Sequence, residues 1–146
     1  MKRAFAQAEK AAEAGEVPIG AVIVEGETVV AQAHNQVETL HDPTAHAEML
    51  AITQAAEHRG DWRLDGMTIY TTTEPCPMCA GAMILARLDR VVFGAEDPRV
   101  GAAGSILDIF DSARHMHSVD VVPGVLAREC GMILQEFFKK RRAKSS

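Results

Sequence analysis

The stretch MTIYTTTEPCPMCAGAM, residues 67–83, restricts the fold more than any other in the chain. Residues 67–73 are rich in β-branched and aromatic side chains and predict a strand. Pro75 and Pro77 follow at once, and proline ends a strand while suiting the first turn of a helix. A strand therefore passes to a helix within a few residues. The predicted helix runs to about Arg87 and carries Cys76 and Cys79 on its first turn. Three residues apart, the two sulfurs face one side. A helix N-terminus also favours thiolates, which are the form that binds metal. The plain alternative is two small core residues at i and i+3; the proline-flanked pair favours a metal. A closed structural zinc site takes four protein ligands, and the one further cysteine, Cys130, stands alone.

The rest of the chain alternates in the same manner. Residues 2–14 read as a helix stopped by Gly15. VPIGAVIV (17–24) and TVVAQAH (28–34) read as strands joined by a turn at Glu25-Gly26-Glu27. A polar loop covers residues 35–43, and Thr44 is placed to cap a helix over 45–58 that Gly60 ends. RVVFGA (90–95) is a short strand followed by the glycine-rich DPRVGAAGS. A helical turn near 106–110, a strand at 118–122 and a long amphipathic helix at 125–142 complete the chain. This order predicts an α/β fold, one five-stranded sheet with helices on both faces. Its first two strands are expected antiparallel, and the later ones joined by helical crossovers.

A chain of 146 residues, 47% apolar, suits a single domain with one sizeable core, residues 1–146. No stretch is long and apolar enough to span a bilayer. The N-terminal MKRAFAQAEK carries charges where a signal peptide needs an apolar run. Three cysteines without a pairing pattern point to a reducing, cytoplasmic setting. The net charge of −5 is unevenly spread, since five of the 15 basic residues fall in the last eight positions. Such a tail could bind phosphates by counterion release, but on charge alone a solubilising helix end is the favoured reading.

The third metal ligand must come from another element. Of six histidines, His46 stands at a predicted helix start in DPTAHAEML. Two helix starts can face each other in the crevice at the strand ends of an open α/β sheet. Glu48 does not share a helical face with His46. Near a helix tip, however, both reach a centre lying beyond the end. His46, Cys76 and Cys79 then leave a fourth position open, which is the catalytic pattern of zinc. Glu48 addresses that position as a general base, or merely complements the helix dipole.

H-x-E with P-C-x-x-C is the signature of the zinc nucleobase deaminases. The chain resembles the bacterial tRNA-specific adenosine deaminases of the cytidine-deaminase-like superfamily along nearly its whole length. DPTAHAE, EPCPMCAGAM and VVFGAEDPRVGAAGS carry the resemblance to the tRNA branch. It implies a three-layer α/β/α fold with a mixed five-stranded sheet, one zinc ion per subunit and a homodimer. The implied reaction is conversion of the wobble adenosine to inosine in a tRNA anticodon stem-loop. His46, Cys76 and Cys79 match the family's metal ligands, and Glu48 its proton shuttle. Asn35 and Ala47 match contacts to the target base, and Asp97 and Arg99 a loop beside the substrate. Phe137, Phe138, Lys139 and Lys140 match the aromatic pair and basic run that meet RNA. At helical spacing at least one of the two phenylalanines is expected in the core. Pro77 and Thr73 depart from the family pattern, which more often has an apolar residue such as Val at the first and Leu at the second. Two alternatives stay open, a deaminase of a free nucleobase or nucleotide and a non-catalytic RNA-binding module with structural zinc. An unrelated metallohydrolase is weaker, because one large group of these carries HExxH and this chain does not.

Overall fold

The computed structural model describes residues 1–145. Helix α1 (Lys2–Glu13) buries Ala4, Gln7, Ala8 and Ala11, one stripe at helical spacing. Those alanines lie on the first strand, β1 (Gly20–Glu25). A Cβ at Gly20 would stand 2.1 Å from the Ala4 carbonyl oxygen and 2.5 Å from the Ala8 nitrogen. Glycine is thus what lets the helix backbone settle onto the strand.

Strand β2 (Thr28–His34) returns antiparallel to β1 after the turn at Gly26, whose φ of +61° suits glycine. Strand β3 (Met67–Thr73) pairs antiparallel with β1 on its other side. Strands β4 (Arg90–Ala95) and β5 (Asp120–Val122) then add in parallel. The sheet order is β2-β1-β3-β4-β5. The expected mixed sheet forms, and the crossover from β3 to β4 runs through helix α4 (Pro77–Leu85).

Helix α3 (Ala47–Arg59) packs against β1, β2 and α4. Helix α6 (Ala127–Ser145) packs against β3, β4 and α1. The result is a three-layer α/β/α arrangement. The short helix α5 (Ile109–Ser112) lies against α4. Among the described residues, no helix is long and apolar enough to cross a membrane.

Local chemistry moved several predicted boundaries. Strand β1 begins at Gly20, not Val17, because Pro18 has no N–H to give a ladder. The polar loop holds a short helix, α2 (Val37–Leu40). Thr44 caps nothing, since its hydroxyl and amide both donate to Asp42 Oδ1, at 2.7 and 2.8 Å. Short polar side chains offer the backbone such local partners in competition with helix. Helix α3 therefore starts two residues later than predicted, with His46 at its N-cap. The predicted helical turn at 106–110 lies at 109–112, where Asp108 accepts from the Asp111 amide at 3.1 Å.

Candidate metal centre and active site

Strand β3 ends at Thr73, and Glu74 and Pro75 lead to Cys76 at the N-cap of α4. Cys76 is extended, not helical, with φ −73° and ψ 171°. Pro77 takes the first helical position, where its missing N–H costs nothing. Cys79 is the third helical residue. An N-cap side chain and the N3 position converge at a helix tip, as in ordinary capping, so the two sulfurs still meet. His46 caps α3 in the same extended conformation, with φ −71° and ψ 148°.

The two helix tips bring three donors together. His46 Nδ1 lies 3.6 Å from Cys76 Sγ and 3.5 Å from Cys79 Sγ. The ligand atoms all fall within 4.8 Å of one another. Tetrahedral zinc, with bonds of about 2.3 Å to sulfur and about 2.05 Å to nitrogen, would hold an S and an N about 3.5 Å apart. The donor spacing therefore fits a tetrahedral metal. A hydrogen bond from Cys79 and the neighbouring His46 hold the Cys76 thiol down at about 4. The same bond, with burial and the Glu48 charge, pushes the Cys79 thiol up. The hydrogen bond to Cys76 raises His46. A cation held by this set would draw both sulfurs to the thiolate form and release protons as it binds.

Glu48 is the second residue of α3 and only 3% exposed. Burial pushes its carboxyl up to about 7. Its Oε1 has no hydrogen-bond partner among the described residues. A buried carboxylate oxygen without a partner is costly to keep, and such groups cluster where a ligand completes them. Beside a three-donor metal site, it faces where chemistry would occur.

A cavity of about 220 Å³ reaches His46 past Ile19, Asn35 and Val37. Asn35 is buried directly after β2, and its amide donates to the Ile19 carbonyl at 3.0 Å. Ala47 is fully buried at the start of α3. Asp97 is half-buried at the groove, and one carboxylate oxygen, Oδ1, accepts from the amides of Arg99 and Val100 at 2.9 and 3.3 Å. Arg99 is exposed, with its guanidinium 5.7 Å from the Phe138 ring centre. Phe137 and Phe138 meet edge to face at 5.5 Å, and Arg141 covers Phe137 at 5.3 Å. Both phenylalanines are half-buried, so neither is the core residue the helical spacing suggested. Lys139 and Lys140 are exposed on the same turns. A groove of about 490 Å³ between Thr73, Asp97, Arg99, Gln135 and Phe138 adjoins the cavity.

Sequence reasoning missed three residues near the site. Arg141 reaches the cavity mouth and pairs with Glu38 at 4.0 Å. Glu16 is fully buried and accepts from the amides of Glu38 and Thr39 at 3.1 and 2.6 Å. Glu74 is 2% exposed and accepts from three amides of the 97–105 loop. The only sequence hint for either glutamate was an acid inside an apolar setting. Their partners are backbone amides 22 to 31 residues away, which no local pattern reveals.

A mixed sheet between two helical layers, with two helix tips that bring together a His-Cys-Cys set able to hold a metal and a buried acid beside it, is the arrangement of a deaminase of the cytidine-deaminase-like fold. The MafB19-like deaminase family matches residues 1–142. The tRNA-specific adenosine deaminase of Bacillus subtilis is 51% identical over 99% of this chain and 89% of that protein. The Haemophilus influenzae protein of the same name is 43% identical over 97% of this chain and 83% of its own. A solved structure from work on A-to-I editing by tRNA:A34 deaminases superposes with a TM-score of 0.86. It is 43% identical and covers 92% of this chain and 97% of that one. A guanine deaminase from Bacillus subtilis superposes less well, with a TM-score of 0.64 at 42% identity over 76% of this chain and 71% of its own. This chain belongs to the tRNA-specific adenosine deaminase family.

Proposed function

We propose that this protein is a zinc-dependent hydrolase that deaminates the wobble adenosine of tRNA to inosine. The observation that carries the reading is the buried Glu48 carboxylate, with Oε1 unpartnered among the described residues, beside a three-donor His-Cys-Cys set. A structural zinc site in an RNA-binding module gives that carboxylate nothing to do.

His46, Cys76 and Cys79 would hold the metal. Zinc there would lower the pKa of a water in its fourth position and make it nucleophilic near neutrality. Glu48 takes a proton from the water that attacks C6 of adenine and passes it to ring N1. The added hydroxyl's remaining proton then passes through Glu48 to the departing amine, and ammonia leaves as the C6 carbonyl forms. A carboxyl buried away from water, with an affinity for protons near neutrality, suits both directions of transfer. Asn35 lines the cavity through which the base would approach His46, and Ala47, buried next to His46 in the chain, stays a proposed base contact. A stacked anticodon loop hides C6, so the adenosine must be turned out into the cavity. The exposed basic run at Lys139 and Lys140 holds the phosphates, while Arg99 and the half-buried Phe137 and Phe138 offer stacking surfaces.

The reading extends to one deaminase domain over residues 1–146, acting in the cytoplasm, where thiolate ligands stay reduced. It also extends to a homodimer, supported by apolar side chains left open on the α4 and α5 side. Leu85, Ile106 and Leu107 are 65, 57 and 49% exposed.

The test is sequencing of tRNA after incubation with zinc-loaded protein. Inosine at the wobble position is the expected product. The likeness to a guanine deaminase supplies the second reading, a deaminase of free bases. Ammonia release from free guanine or cytosine, with no change in an adenosine-bearing stem-loop, would establish it instead.

A further inference from the structure

Glu74 is a buried carboxylate with no part in the proton transfers above. Among the described residues no basic side chain pairs with it. An unpaired buried charge is expensive unless several donors satisfy it. Here they come from one loop. The amides of Asp97, Ala103 and Ser105 donate to Glu74 at 3.0, 2.9 and 3.1 Å, and the Ser105 hydroxyl donates as well. The Ala102 amide donates to the Pro75 carbonyl at 2.9 Å. The loop closes so tightly that a Cβ at Gly101 would lie 2.4 Å from Glu74 Cδ and 2.5 Å from its Oε1. Residues 97–105 are therefore folded around this carboxylate, two residues from Cys76. The same loop carries Arg99, which stacks over Phe138 at the rim of the groove.

We propose that Glu74 is a positioning residue for the polynucleotide. It holds the 97–105 loop in the one shape that aims Arg99 at the groove, and it ties that loop to the metal-bearing turn. The inference rests on the proposed function, since it assigns the loop to RNA. A charged acceptor bonded to several amides is stronger and more directional than a neutral one. Glutamine at this position would set an NH2 against amide donors and release part of the loop. The donor set would keep its geometry, because none of His46, Cys76, Cys79 and Glu48 is a partner in the loop's bonds and the Ala102 bond to the Pro75 carbonyl remains to hold the turn before Cys76.

The experiment compares wild type, Glu74→Gln and Gly101→Ala as zinc-loaded full chains. The second variant attacks the same contact from the loop side, through a Cβ that would also stand 2.5 Å from the Asp97 carbonyl oxygen, and keeps residue 74 a glutamate. Steady-state kinetics on an adenosine-bearing anticodon stem-loop should show KM raised by about tenfold or more in both, with kcat within about threefold. Zinc content should not change, and the amides of residues 97, 103 and 105 should exchange hydrogen faster. An unchanged KM in both variants overturns the inference, as does a fall in kcat at constant KM. If Glu74→Gln does not fold, Gly101→Ala decides. A wild type inactive on the stem-loop refutes the proposed function and this inference with it. An active wild type with unaltered variants refutes only the inference.

Discussion

Replacing Gly94 by alanine tests how α6 is seated. The residue lies in β4, and a Cβ there would stand 2.7 Å from Cys130 Sγ, 2.7 Å from the Thr72 carbonyl oxygen and 3.0 Å from Cys130 Cβ. Carbon contacts are comfortable only at about 3.5–4.0 Å. The Cys130 contacts are relieved only if α6 retreats by about an ångström, and the Thr72 contact only if the backbones of β3 and β4 ease apart, so both must give. Overpacking of this kind costs about 1–3 kcal/mol. An unfolding entropy of about 2.1 cal/mol/K per residue gives about 0.3 kcal/mol/K for 146 residues. The melting temperature should therefore fall by about 3–10 °C. Gly81 is the control. It sits inside α4 with nothing within 4 Å of its would-be Cβ. Gly81→Ala should stabilise by about 0.5–1 kcal/mol, because alanine loses less freedom in a helix. Differential scanning calorimetry on both variants reads the two signs. Because α6 also carries Phe137 and Phe138, Gly94→Ala should weaken stem-loop binding while zinc content stays at wild-type level. A melting temperature for Gly94→Ala at or above wild type would refute the packing argument.

Glu48→Gln keeps the volume of the side chain and removes the proton carrier, so turnover should fall by about 10²–10⁴-fold with zinc retained; near-normal kcat in the metal-loaded variant rules out the shuttle. Cys79→Ala should lose bound zinc, read by elemental analysis, and full stoichiometry would dismiss the ligand set. Thr71 is fully buried with an unpartnered hydroxyl among the described residues. Thr71→Val should thus gain about 1 kcal/mol, or about 3 °C, and a loss in a thermal melt would show that the hydroxyl has a partner. For Glu16, burial pushes the carboxyl up, but the bonds from Thr39 and Glu38 outweigh it and leave the pKa below 4.5. A depressed carboxyl stabilises the fold fully above about 4.5 and loses that contribution as pH falls through the folded-state value. The stability gap between wild type and Glu16→Gln, measured in urea, should shrink below pH 4.5, and a constant gap argues against the assignment.

Strand and helix order was legible because it is local. β-branched runs, Pro75 and Pro77, and Gly60 each act within a few residues, and all the elements they signal are present. The grouping of His46, Cys76 and Cys79 was legible for a related reason. Cys76 and Cys79 sit on one helix start, and His46 with Glu48 on another, and an α/β sheet has few places where two helix starts meet. The N-cap placement of His46 was not legible, because Thr44 looked the better cap until Asp42 claimed it. The phenylalanine pair misled in the same way, since helical spacing signals an apolar stripe but not whether a layer lies above it.

Residue types and spacings by themselves determined the α/β class, the strand-to-helix passage at Cys76 and the chemistry of the donor set, because those follow from backbone preferences and ligand valence. Only the tertiary structure decided that Glu48 is buried with an unpartnered oxygen, that Glu16 and Glu74 bind loops and not cations, and that Asp97 closes its own turn. Burial and hydrogen-bond partners depend on which distant backbone arrives beside a side chain. A carboxylate reads alike in the sequence whether water, a metal site or a ring of amides surrounds it, and the packing of the three layers is what separates those cases.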